Sequence, residues 1–248
     1  MKKLEFDVDG VSDIGTTKKV NQDKYVYKVY EINGEEAGVF AVADGVGGLE
    51  SGEIASAMAV SGLLKWWESR FLEIYSDYQK IEKSLKVCFE EINKEIMVMS
   101  DKTGKKMGTT FTVMIVYKNK AIICHIGDSR IYRYKSKMVS SSIDIITKDH
   151  SKDIECQVDN MIIKRPMLTQ CLGVNSKIEC DTKCIDIHKR DKYIICSDGI
   201  YKTQDEKTIK KIISEQAKTM DVCCELINNA KRMGETDNIT VISIEIKE

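Results

Sequence analysis

The chain has 248 residues, 42% of them hydrophobic, which is enough to bury one large core; 38 basic and 39 acidic residues leave a formal net charge of -1. The lysines are interleaved with acids and read as a solvated surface, so no basic face is offered to nucleic acid or an anionic membrane. The nine cysteines are odd in number and scattered, Cys223 and Cys224 are adjacent, and no Cys-x-x-Cys pair occurs. A zinc-ligand spacing is therefore absent and no disulfide framework is expected, so the cysteines read as reduced core thiols. With no signal peptide and no long apolar span, the expectation is one cytoplasmic domain over residues 1-248.

Phe6 to Ile14 alternates apolar and polar and predicts a first strand, turned by Gly15-Thr16-Thr17. A polar loop, Lys18 to Asp23, leads to a second alternating strand, Tyr25 to Tyr30, and Asn33-Gly34 signals a hairpin into Val39 to Asp44. That third strand is apolar throughout and runs into Asp44-Gly45-Val46-Gly47-Gly48. It sets a carboxylate at the strand rim, with glycines that admit a close backbone approach and a tight exit. The period then becomes helical. Ile54, Ala55, Met58, Ala59, Leu63 and Trp66 predict a helix from about Ser51 or Gly52, and Ile81, Leu85, Cys88, Phe89, Ile92, Ile96 and Met99 predict another.

Strand signals resume with the hairpin Gly108 to Tyr117 and Ala121 to Gly127, which ends at Asp128, and continue with Ile131 to Tyr134 and Ile143 to Thr147. His125 lies inside an apolar run and reads as a core or interface histidine. Asp149-His150-Ser151 reads as a turn or a helix start. Lys152 to Met167, with the only proline, Pro166, is the least patterned stretch. Ile178 to Ile187 alternates again, and the apolar run Tyr193 to Cys196 closes in Ser197-Asp198-Gly199. Thr203-Gln204-Asp205-Glu206 has capping-box spacing and predicts a helix through Ile209, Ile212 and Ile213. Val222, Leu226, Ala230 and Met233 mark a last helix stopped by Gly234, and Asp237-Asn238 opens the closing strand, Ile239 to Ile246.

Strand blocks alternating with helix pairs indicate an α+β fold with largely antiparallel sheets. Four acids, Asp44, Asp128, Asp198 and Asp237, stand at strand ends far apart in sequence. Brought together they would repel one another unless cations neutralised them, and oxygen-only donors suit Mg2+ or Mn2+.

Eight stretches, Gly15 to Asp23, Ala43 to Gly48, Gly108 to Thr110, His125 to Arg130, Lys148 to Ser151, Leu168 to Gly173, Cys196 to Gly199 and Asp237 to Thr240, fall in the order of a known family. The chain resembles the metal-dependent type 2C protein phosphatases, the PPM family, in its bacterial branch. The resemblance implies a four-layer α-β-β-α sandwich with a metal centre at one edge of two sheets. It implies that Asp44 bridges two Mn2+ or Mg2+ ions, that the Gly45 carbonyl binds one, and that Asp198 and Asp237 complete the other. It further implies that Asp128 and Asp198 hold a third, weaker ion and that Asp23 holds water bound to the metal. The implied reaction is attack of metal-activated water on phosphoserine or phosphothreonine, the partners being phosphorylated proteins and a serine/threonine kinase that makes them.

Three departures accompany the resemblance. Lys18 stands where the family carries an arginine that grips the substrate phosphate, keeping the charge without the bidentate fork. Val46 replaces a histidine used by many eukaryotic members as a candidate acid. The flap-like segment near 152-167 is shorter than the helical flap usual in bacterial members. Two alternatives stay open at this point: an inactive member serving as a binding or regulatory module, and a phosphatase of small phosphate esters.

Overall fold

The computed structural model describes residues 5–46, 49–136, 141–158 and 161–247, without the side chains of 156–165. Gly47 and Gly48, part of the glycine exit expected after Asp44, lie outside the described residues.

Twelve strands and six α-helices are present among the described residues. The first sheet runs β1 (Glu5–Asp13), β12 (Ile239–Lys247), β11 (Asp191–Cys196), β6 (Arg130–Ser136), β7 (Ser141–Ile145). The second runs β10 (Asp181–Asp186), β5 (Lys120–Ile126), β4 (Phe111–Tyr117), β3 (Glu35–Ala43), β2 (Lys24–Ile32). Every pairing in both five-stranded sheets is antiparallel. The expected β2–β3 hairpin is present, and its turn residues Asn33 and Gly34 have φ of 52° and 80°, as a turn with two left-handed residues requires.

The strand period of two sorts the core. From the second sheet, Phe40, Val42, Met114, Val116 and Ile123 join Ile131, Tyr193, Ile195, Ile242 and Ile244 of the first in one buried cluster. The alternate residues, Val39, Ala41, Val113, Ile115 and Cys124, pack instead with α1 (Gly52–Trp66) and α3 (Tyr78–Thr103) through Ala55, Ala59, Leu63, Leu85 and Phe89. On the first sheet, Tyr132, Ile194, Cys196 and Val241 pack with Ile209 and Ile213 of α5 (Glu206–Glu215) and Val222 and Leu226 of α6 (Thr219–Arg232). Central strands are thus apolar on both faces, which is why they read as continuous hydrophobic runs.

Helix α1 passes through a π-helical turn, Trp67–Phe71, into the short α2 (Leu72–Ile74). The indole of Trp67 stacks on Phe71 there, with centroids 3.9 Å apart. Asp77 caps α3, accepting from the backbone N–H groups of Gln79 and Lys80, and Gly104 ends it at φ 67°. Among the described residues no helix is long and apolar enough to cross a membrane.

Three local expectations are corrected. The cap of α5 is Asp205, whose carboxylate accepts the Thr208 N–H at 2.8 Å, and not Thr203. Gln204 is buried and donates to the carbonyls of Ile200 and Leu226, so the chain cannot begin its helix before that side chain is seated. Asp149-His150 starts no helix, since Ser151 opens β8 (Ser151–Val158) directly. The described residues of 152–167 form a ribbon of β8 against β9 (Met161–Leu168), with Ser151 opposite Leu168 and Asp153 opposite Pro166. A two-stranded ribbon has no face in the core, so it carries no hydrophobic period to read, and an edge strand tolerates proline.

Candidate metal centre

Asp44 follows β3 directly, and both its backbone groups are fixed to the neighbouring chain. Its N–H donates to Thr110 Oγ1 at 3.0 Å, and its carbonyl accepts from Thr110 N at 2.8 Å and Thr109 Oγ1 at 2.9 Å. Gly45 then bridges to Thr109 and donates to the Gln22 carbonyl at 3.2 Å. A Cβ at Gly45 would lie 2.6 Å from the Gly52 carbonyl carbon and 2.7 Å from Gln22 O, so only glycine fits between those two backbones.

Asp128 follows β5 and is held through its carbonyl, which accepts the Tyr201 hydroxyl at 2.7 Å. Beneath it, Ser129 and Thr110 share a buried hydroxyl–hydroxyl bond of 2.8 Å, which ties the Asp128 turn to the strand beside Asp44. Asp198 opens α4 (Asp198–Tyr201) at the end of β11. Asp237 precedes β12, where the Glu235 carboxylate accepts its N–H at 2.9 Å and its own carboxylate accepts the Asn238 N–H at 2.8 Å. Asn238 knits the first loop onto this corner, accepting from Gln22 N and donating to the carbonyls of Ile14 and Val20.

These four strand ends open on one cavity of about 530 Å³, lined by Asp44, Gly45, Thr110, Asp128, Asp198, Asp237, Lys18 and Lys202, with Val46, Pro166, Met167 and Leu168 supplying apolar wall. The structure therefore brings together Asp44, Gly45, Asp128, Asp198, Asp237 and Lys18, six of the seven residues expected from sequence. The seventh, Asp23, stands behind the cavity, buried, accepting the Ser197 hydroxyl on Oδ2 at 2.9 Å, while its Oδ1 is buried without a partner.

Burial dominates the electrostatics. It pushes the Asp44 carboxyl well above the usual range, with the charges of Asp23, Asp198, Asp128 and Asp237 adding to the effect. Burial and then Asp198 push Asp128 up to about 7. Asp23 rises to about 6, again through burial, although the hydroxyls of Thr240 and Ser197 pull it down. Asp198 is raised by burial against the pull of Lys202. Asp237 goes the other way: burial would raise it, but Lys18, the Asn238 N–H and Lys202 together hold it below the usual range. Uncompensated carboxylates in this setting favour a proton or a cation.

Two lysines supply part of that charge. Lys18 Nζ lies 2.7 Å from Asp237 Oδ1, and Lys202 Nζ lies 2.5 Å from Asp198 Oδ2 and 3.6 Å from Asp237 Oδ2. Lys202 was not singled out in sequence; its signal is its position four residues beyond Asp198 on a helical turn. Thr110, Ser197 and Tyr201 were also missed, since supporting hydroxyls carry no pattern of their own. With the side chains so turned, no three His, Cys, Asp or Glu among the described residues converge tightly enough to hold one ion. His125 takes no part: it is buried in the core, as expected.

Cys171, the one cysteine on the cavity wall among the described residues, has its thiol pushed up to about 11 by burial and by the Asp128 charge, which makes it a poor nucleophile at neutral pH.

The family model for protein phosphatase 2C matches residues 14–230. A serine/threonine phosphatase, stp, of Listeria monocytogenes is 30% identical over 244 residues, covering 94% of this chain and 93% of that protein. The solved serine/threonine phosphatase of S. agalactiae superposes with a TM-score of 0.81 at 26% identity, covering 98% of this chain and 100% of that one. The catalytic domain of the phosphatase PstP, solved in complex with two manganese ions, has the same fold, with a TM-score of 0.74 at 22% identity and coverage of 99% and 100%. Family match, full-length similarity and a shared fold lead to one conclusion: the chain belongs to the protein phosphatase 2C family.

Proposed function

We propose that this chain is a metal-dependent protein serine/threonine phosphatase, built as a single catalytic unit over residues 1-248 in a four-layer α-β-β-α sandwich. The observation that carries the reading is the convergence of four strand-end aspartates on one cavity whose wall, among the described residues, offers no activated cysteine. The donor set suits the ions: every candidate ligand is an oxygen, and burial makes the carboxylates of Asp44, Asp128 and Asp198 unfavourable as bare anions.

In this reading Asp44 and the Gly45 carbonyl, with Asp198 and Asp237, would hold two Mn2+ or Mg2+ ions, and Asp128 with Asp198 would hold a third, weaker one. When bound, such ions would lower the pKa of a coordinated water toward neutrality and offset charge on the phosphoryl oxygens. The protein's own residues do the rest. The Thr109 and Thr110 bonds hold Asp44 still, and Asp23, behind the wall, offers its unpartnered Oδ1 to an ordered water. Lys18, on the cavity wall, supplies positive charge to the substrate phosphate, and Val46 cannot donate a proton, so the leaving group takes its proton from water. Pro166 and Met167 of the ribbon give the cavity an apolar rim suited to a peptide.

Phosphate release from a phosphothreonine peptide, compared with nucleoside monophosphates, tests this. Mn2+-dependent turnover of the peptide, lost in chelator and in Asp44→Asn, supports the reading. Turnover confined to nucleotides would instead make the chain a small-ester phosphatase. A protein that takes up Mn2+ and turns over neither would be the inactive binding module.

A further inference from the structure

We infer that Lys202 is a tethered internal cation that competes with divalent metal for the Asp198–Asp237 carboxylate pair, so that this side chain lowers the readiness with which the enzyme loads its metal. The inference rests on the metal-centre reading above and adds to it a residue which that reading does not use.

The geometry is specific. Lys202 Nζ lies between two carboxylates, 2.5 Å from Asp198 Oδ2 and 3.6 Å from Asp237 Oδ2. The other oxygen of Asp237 is taken by Lys18 at 2.7 Å. Both oxygens of Asp237 and one of Asp198 thus face lysine ammonium groups, whereas among the described residues neither Asp44 nor Asp128 forms an ion pair. The backbone pins this lysine where it is: its N–H donates to the Asp198 carbonyl at 2.9 Å, closing the turn of α4, so its stem starts one helical turn from the acid it neutralises. Its side chain is 41% exposed, which leaves the ammonium a route to water.

An ammonium and a metal ion cannot share these oxygens by bonding to one another, because a protonated lysine has three donors and no lone pair. Two cations on the same carboxylates repel each other, so an ion loading on Asp198 and Asp237 is opposed by Lys202 until the ammonium swings away, which a flexible four-carbon stem permits. A short tether gives the displaced group an effective concentration on the order of millimolar, so it competes continuously with dissolved ion. The competition is partial, since one positive charge reaches two of the four acids and leaves Asp44 and Asp128 to attract the ion.

The test is Mn2+ titration of metal-stripped protein, following the electron paramagnetic resonance signal of free Mn2+, for the parent, Lys202→Met, Lys202→Gln, Lys202→Arg, Lys19→Met and Asp198→Asn. Removing the charge should tighten Mn2+ binding by about three- to tenfold in both Lys202→Met and Lys202→Gln, the scale of a half-exposed ion pair. Lys202→Arg should bind no tighter than the parent, because guanidinium also holds carboxylates. Lys19→Met removes the same unit charge from an exposed loop position and should stay within about twofold. Metal-free Lys202→Met should also melt below the parent and recover the difference in saturating Mn2+.

Equal or weaker Mn2+ binding in both neutral variants, with Asp198→Asn still losing it, overturns the competition and leaves the metal centre standing. Equal tightening in Lys19→Met would reduce the effect to diffuse charge and overturns it as well. Parent-like Mn2+ binding in Asp198→Asn would mean that the metal-centre reading itself has failed.

Discussion

The guanidinium carbon of Arg130 lies 3.6 Å from the centroid of the Tyr201 ring, and the hydroxyl of that ring donates to the Asp128 carbonyl at 2.7 Å. Arg130 is in turn held by Asp149, with Nε 3.0 Å from Oδ1 and Nη2 2.7 Å from Oδ2. A chain of contacts therefore runs from the loop before β8 through Arg130 and Tyr201 to the backbone of Asp128, and Tyr201 sits on the same short helix as Asp198. One ring thus ties the backbone of Asp128 to the helix that carries Asp198.

Tyr201→Phe keeps the ring and its stack on Arg130 but removes the bond to Asp128. The loss should cost about 1 kcal/mol of stability. Activity should fall further than stability, because the Asp128 turn loses its tie to α4. Denaturant midpoints and kcat/KM for Tyr201→Phe, Asp128→Asn and the double variant check this, with less-than-additive loss of activity as the expected result. Full additivity would mean that the ring does not act through Asp128.

Gly45→Ala tests the close approach beside Asp44. The added methyl would meet the Gly52 carbonyl and the Gln22 carbonyl, both backbone and neither able to rotate away. One of the two chains must shift, at a cost of about 1–3 kcal/mol by the scale of overpacking, and the shift moves Asp44. A lowered melting temperature together with weakened Mn2+ binding is the expected pair of results. Parent-like values in both would show that the loop yields freely.

How much of this could be read from the chain depended on whether a residue's role leaves a periodic or motif signal. Val39 to Ala43 and Tyr193 to Cys196 announce themselves as buried strands because both faces lie in cores, and the acids at their ends follow from that. Asp205 was passed over as a helix cap because Thr203 completes a capping-box spacing, and only the packing of Gln204 against Ile200 and Leu226 decides between the two. The β8–β9 ribbon was missed because a strand pair standing off the core needs no hydrophobic alternation. Lys202 was missed for a similar reason: a lysine in a polar stretch looks like a solvated one until the fold brings Asp237 up to it.

His125 supplies the pH dependence. Its Nε2 faces the Lys148 carbonyl at 3.1 Å, an acceptor, so Nε2 carries the proton, and Nδ1 accepts the Thr112 hydroxyl at 2.8 Å. That is a neutral imidazole satisfied on both sides, and burial, with His150 beside it, pushes its pKa from 6.5 down to about 4. The unfolded chain takes up a proton below pH 6.5 that the folded protein refuses until about pH 4, so stability is fully present above 6.5 and falls as pH drops. The loss reaches about 3 kcal/mol by pH 4. Comparing urea midpoints of the parent and His125→Gln from pH 7.5 to 4 should show a gap that closes as the pH falls, because the glutamine variant has no such proton to refuse. A gap independent of pH would mean that the imidazole contributes packing alone.

Lys18 carries two effects of opposite sign. The ammonium lies 2.7 Å from Asp237 Oδ1 and lines the cavity, so it both shields a candidate metal ligand and stands where a substrate phosphate would enter. Lys18→Ala frees Asp237, and the Mn2+ concentration needed for half-maximal activity should fall. At saturating Mn2+, however, the substrate phosphate loses a charge-assisted hydrogen bond, and kcat/KM on a phosphothreonine peptide should drop by about 1.5 to 3 kcal/mol, or roughly ten- to a hundredfold. Lys18→Arg should keep the contact and add a second N–H to the phosphate, so its kcat/KM should match or exceed the parent's, while its Mn2+ requirement stays near the parent's because the fork still pairs with Asp237. Should Lys18→Ala hold kcat/KM within about twofold while its Mn2+ requirement falls, the lysine serves Asp237 alone, and the phosphate contact belongs to another cation on the cavity wall.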